Sequence, residues 1–123
     1  MKAEWTLPWP PTTTNNLYRN LPRGGRAMVP EARAWKDGAT LMVKAAGQSL
    51  PDGRLVMSLQ LFPPKGFRGD TSNCVKLVED AVFAAFGETD HRVCELHVYR
   101  NERGLSQRIV VLVEDVRSHY APS

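Results

Sequence analysis

The sequence predicts one α+β domain, a mixed sheet of about four strands with two helices packed on one of its faces. Three observations lead there. A chain of 123 residues, 42% of them hydrophobic, is long enough for one core and too short for two. Two segments, 30–46 and 72–86, carry apolar residues at helical spacing, whereas 3–7, 54–62 and 93–100 alternate with period two and 106–115 follows as the second strand of a hairpin. Their order is β-α-β-α-β-β, without repeats, low-complexity stretches or internal linkers, so residues 1–123 form a single domain.

The elements follow in order. AEWTL, 3–7, is a short strand stopped by Pro8. PWPPTTTNNLYRN, 8–20, is a loop, because prolines cannot serve a central strand and Thr/Asn clusters favour local turns. LPRGGRAMV, 21–29, continues it irregularly. Pro30 suits a first helical position, where its missing N–H costs nothing, and the helix closes at Gly47. RLVMSLQLF, 54–62, places Leu55, Met57, Leu59 and Leu61 on one strand face. The second helix starts near Ser72, stacks Val75, Val78, Val82 and Phe86, and ends at Gly87. VCELHVYR, 93–100, sets Cys94, Leu96 and Val98 against Glu95 and His97; NERGL turns the chain into the last strand, and VRSHYAPS is a frayed tail.

Composition narrows the function. No apolar run approaches the roughly 20 residues that span a bilayer, and MKAEWTLPWP lacks a signal-peptide core, so a cytoplasmic protein without a membrane partner is expected. Cys74 and Cys94 lie inside elements without a metal-ligand spacing, which favours reduced core thiols. The net charge of +3 is unevenly spread: residues 1–69 carry +6 and residues 70–123 carry −3. That asymmetry suits attraction of phosphates by one region and carboxylate chemistry in another, and equally suits plain solubility.

The chemistry concentrates around RGDTSNCVKLVEDAVFAAF, 68–86, and ETDHR, 88–92. Asn73, Lys76 and Asp80 share one helical stripe next to Asp70. Asp70 and Asp90 would meet if their loops lie at one sheet edge, and two such carboxylates suit Mg²⁺, which keeps water and takes substrate phosphate oxygens. Lys76 would then neutralise charge on a phosphodiester. The plainer reading makes Asp70 a helix cap and Lys76–Asp80 a solvated ion pair. Arg19, Arg23, Arg26, Lys65 and Arg68 flank the two long loops, where they can contact DNA phosphates without reading bases. Trp5, Trp9 and Trp35 are read as core or contact aromatics ahead of a base-stacking platform, and His91, His97 and His119 share no metal spacing.

Three stretches together resemble the RusA family of Holliday junction resolvases. LPWPPTTTNNLYR, 7–19, is similar to the family's L-P-x-P-P-[ST]-x-N-x-x-Y-R with a small insertion; DTSNCVK, 70–76, to D-x-D-N-x-x-K; and TDHRVCELHV, 89–98, to D-D-x-x-V-x-x-L-x-V. The resemblance implies a homodimeric endonuclease that cuts four-way DNA junctions with Mg²⁺, Mn²⁺ being able to substitute. It makes Asp70 and Asp90 metal ligands, Lys76 a catalytic cation, Asn73 a supporting hydrogen-bonding residue and Asp80 an outer partner. Ser72 occupies a third ligand position where the family has a carboxylate, and a hydroxyl is the poorer Mg²⁺ ligand. Glu88 and Asp80 are the candidates to replace it. The competing expectation is a protein of this fold that binds branched DNA without cutting.

Overall fold

In a computed structural model of the chain, residues 1–10, 18–65, 71–101 and 107–121 are described. The long alternating runs pair into one sheet. Strand β1 (Lys2–Pro8), β4 (Leu55–Phe62), β5 (Val93–Arg100) and β6 (Arg108–Asp115) lie in the order β1-β6-β4-β5. β6 runs antiparallel to both β1 and β4, while β4 and β5 are parallel, so the sheet is mixed as expected. A parallel neighbour requires a crossover. Helix α2 (Thr71–Ala84) supplies it, and α1 (Pro30–Ala45) precedes β4.

Both helices cover one face. Trp5 and Leu7 of β1, Met57, Leu59 and Leu61 of β4, and Ile109, Val111 and Val113 of β6 are buried with Ala39 and Val43 of α1 and Val78, Val82 and Phe83 of α2 in one core. Thr40 Oγ1 donates to the Ala81 carbonyl at 2.9 Å and ties α1 to α2. Trp35 Nε1 donates to the Pro8 carbonyl at 3.1 Å. Trp5 and Trp9 are buried, so the core reading of these tryptophans holds for both. No described helix is long and apolar enough to cross a membrane.

Four expectations change. Residues 18–28 are not wholly irregular: β2 (Tyr18–Asn20) and β3 (Arg26–Met28) form a small antiparallel hairpin. Its turn needs Gly24 and Gly25 at φ +91° and +82°, a region that L side chains disfavour. A third, four-residue helix, α3 (Val116–His119), replaces the frayed tail, because the Asp115 side chain caps it by accepting from the Ser118 N–H at 2.6 Å. Cys94 is exposed and not in the core. Leu96 and Val98, opposite the inward Met57 and Leu59 in register, are also 40% exposed because β5 is an edge strand. The NERGL turn falls largely outside the described residues.

Candidate active site

Helix α2 divides its positions between core and site. Cys74, Leu77, Val78, Ala81 and Val82 are fully buried, which turns Lys76 and Asp80 to the opposite boundary. The helix ends at Ala84, and Gly87, at φ +67°, lets the chain reverse while Gly87 and Glu88 donate N–H bonds to the Ala84 and Phe83 carbonyls. A single turn of 3-10 helix, Asp90–Arg92, follows and enters β5.

Arg92 fixes that turn. Its guanidinium holds both Glu88 carboxylate oxygens at 2.9 and 3.1 Å and donates to the Pro51 and Gly53 carbonyls at 2.8 Å each. A planar fork engaged on four acceptors leaves the backbone little freedom. Asp90, two residues earlier, is thereby set against the flank of α2. Glu88, a candidate for the missing carboxylate, is engaged in this clamp instead.

At that flank Lys76 Nζ lies 3.1 Å from Asp80 Oδ1 and 3.5 Å from Asp90 Oδ2. The Asp80 hydrogen bond, then the charges of Asp80 and Asp90, hold the ammonium above its usual pKa against a smaller opposing effect of burial. Beyond Lys76, Glu79 is only 9% exposed, and Asp90 is its acidic neighbour. Two neighbouring carboxyls resist double ionisation and together retain one proton. Burial, followed by the nearness of Asp90, pushes Glu79 up to about 7; Glu79, then Lys76, lowers Asp90. Asp90 is the ionised member of the pair.

On the Asp80 side of Lys76 opens a groove of about 310 Å³ lined by Lys36, Lys76, Asp80, Phe83, Glu88 and Asp90. Its mouth carries two ammonium groups beside carboxylates, a mixture suited to a polyanion approaching a cation site. The donors on hand are hard carboxylate oxygens, which fit a divalent cation such as Mg²⁺ that needs one or two of them. Among the described residues alone no cluster of three or more such ligands is complete.

The expected residues are thus partly assembled. Lys76, Asp80 and Asp90 come together across 14 residues of sequence. Asp70 and Arg68 lie outside the described residues, and Ser72 and Asn73 are placed only as backbone in the first turn of α2. Arg19 and Arg26 are likewise placed as backbone, on β2 and β3, while Arg23 and Lys65 are exposed. Glu79, Lys36 and Arg92 escaped the sequence reading. Glu79 had a weak signal, an acid preceding Asp80 between the apolar Val78 and Ala81.

A family model described as endodeoxyribonuclease RusA matches residues 8–114 of the 123-residue chain. The matched span contains the whole of α2 and the Asp90 turn. No individual curated protein matches the chain.

Proposed function

Since the chain belongs to the endodeoxyribonuclease RusA family, we propose that it is a Mg²⁺-dependent, structure-selective endonuclease that resolves four-way DNA junctions in cytoplasmic recombination and repair. The observation that carries this is the meeting of Lys76 with Asp90 at 3.5 Å, two motif residues from separate elements.

Each residue has a task. Asp90, held ionised by its neighbours, and Asp70, the residue preceding α2 in sequence, would hold the metal. When bound, Mg²⁺ or Mn²⁺ supplies an activated water and a counter-charge for the hydrolysed phosphodiester. Lys76, kept protonated by Asp80 and Asp90, places a positive charge where a non-bridging phosphate oxygen gains charge. Asn73 supports the site by hydrogen bonding. Arg19, Arg23, Arg26, Lys65 and Arg68 track the backbone of the junction arms. A four-way junction has two equivalent cleavage points, so a two-fold homodimer matches it with one site per protomer.

The test is cleavage of an immobile four-way junction with Mg²⁺, with Mn²⁺ and with EDTA, beside a band shift in EDTA. Paired symmetric nicks that require metal and vanish in Asp90→Asn, with the shift retained, support the reading. Nicks that persist in EDTA or in Asp90→Asn overturn it. Ser72 favours a second reading, binding without cutting. It predicts a tight shift with no nicks in the natural chain, and metal-dependent nicks on Ser72→Asp.

A further inference from the structure

The groove beside Lys76 holds a second ammonium whose charge no other group of the site takes up. Lys36 lines it from α1, a helix that carries none of the motif residues. Packing sets its place. Trp35, its neighbour, donates to the Pro8 carbonyl at 3.1 Å, and Thr40, one helical turn further on, donates to the Ala81 carbonyl at 2.9 Å. Residues four apart share a helix face. The bond that ties α1 to α2 therefore also sets Lys36 against α2, where it lines the groove with Asp80, Phe83 and Ala84.

The other charges of the groove are matched. Lys76 stands 3.1 Å from Asp80 and 3.5 Å from Asp90, and Arg92 holds Glu88 at 2.9 Å. Of the five charged residues that line the groove, Lys36 is the one with no ion-pair partner among the described residues. It is also half-buried. A cation drawn partly out of water costs free energy until an anion meets it. At about 310 Å³ the groove is at the small end of ligand-site volumes, room for a short piece of single backbone and not for a duplex arm. A strand entering it presents phosphates, against which a lysine acts as a point charge.

We propose that Lys36 holds a non-reacting backbone phosphate of the strand that enters the groove, and so fixes the register of that strand against Lys76 and Asp90. The inference rests on the endonuclease reading for the identity of the polyanion, and on the groove for the rest. Lys36 is then a substrate-binding residue supplied by α1, outside the motif elements, and it touches neither the metal nor the bond that breaks.

A neutral-linkage scan tests it without recourse to cutting. Single methylphosphonate linkages, which keep the shape of a phosphodiester without its charge, are placed one at a time along the strands at the crossover of an immobile four-way junction. Band shifts in EDTA are then measured for the natural chain, Lys36→Gln and Lys36→Arg. On the unmodified junction Lys36→Gln is expected to bind about tenfold more weakly, with a log–log salt slope smaller by about 0.9, and Lys36→Arg to restore most of the affinity. At one linkage the natural chain should lose the same factor while Lys36→Gln loses nothing further, because the contact is already broken. Unchanged affinity of Lys36→Gln, or a loss that is the same at every linkage, overturns the inference; the second is what a purely structural role produces. Should Lys36→Gln not fold, acetylation of the natural protein read by mass spectrometry decides. Protection of Lys36 by the junction that one neutral linkage abolishes supports the contact, and reactivity indifferent to the junction or to every linkage refutes it. Junction cleavage run in parallel separates the two ideas. Metal-dependent nicks with an affinity indifferent to Lys36 remove the contact and leave the endonuclease; a Lys36-dependent shift without nicks does the reverse.

Discussion

Raising the pH from 5 to 8 in the presence of EDTA should weaken the folded protein through one group. Folded Glu79 keeps its proton up to about 7, whereas an unperturbed glutamate releases it near 4.5. Between these values the folded chain binds more protons than the unfolded chain, so stability is full below 4.5, falls as pH rises, and has lost this contribution above 7. A tenfold difference in proton affinity is about 1.4 kcal/mol, which sets a ceiling of about 3 kcal/mol. Water at the rim of the site screens the pair, and a loss of about 2 kcal/mol is the expectation. Asp90 is lowered and acts in the opposite sense, its contribution disappearing only as pH falls through the acid range, outside this window. Urea unfolding of the natural chain and of Glu79→Gln at several pH values reads the difference. The two proteins should agree near pH 5, and Glu79→Gln should be the more stable by about 2 kcal/mol near pH 8. Parallel stability curves from pH 5 to 8 would refute the shared proton.

Further outcomes follow from the same geometry. Lys76→Met should lower the single-turnover cleavage rate by about a hundredfold, as for loss of one charge-stabilising group, with the EDTA band shift intact. Phe83→Ala, which empties one of the largest fully buried side-chain sites of the core, should cost about 3–5 kcal/mol in urea unfolding. Arg23→Ala and Lys65→Ala, both at exposed positions, should each reduce the log–log salt slope of junction binding by about 0.9 if each contacts one phosphate. Arg92→Met should weaken metal binding about tenfold through misplacement of the Asp90 turn, although Arg92 itself touches no metal.

Periodicity made the sheet and both long helices readable, since each buries one face against a single core. It could not tell which face of an edge strand stays uncovered, and that is why Cys94, Leu96 and Val98 alternate as expected yet face solvent. Three-residue strands are too short to show a period, so β2 and β3 were hidden, although the Gly24–Gly25 pair marks their turn. At the site, Lys76, Asp80 and Asp90 were legible because their types and spacings belong to a recognisable motif. Glu79 was not, for its significance lies in what it faces across 11 residues of chain, a long-range fact. Arg92 was hidden for the same reason: its partners, Pro51 and Gly53, precede it by about 40 residues in a loop of no special pattern.

The unequal burial of the two cysteines has a practical reach. Cys74 is sealed in the core, where burial pushes its thiol up to about 12, so the nucleophilic thiolate is suppressed. Cys94 stands exposed on β5, two residues past the Asp90–Arg92 turn. The natural chain therefore offers one address for a maleimide probe, with no cysteine to remove beforehand. A spin label there would sit four positions from Asp90 and at one equivalent point on every protomer. Distances between labels would then report assembly on a junction, and the mobility of each label would report what happens at the edge of the sheet when DNA arrives.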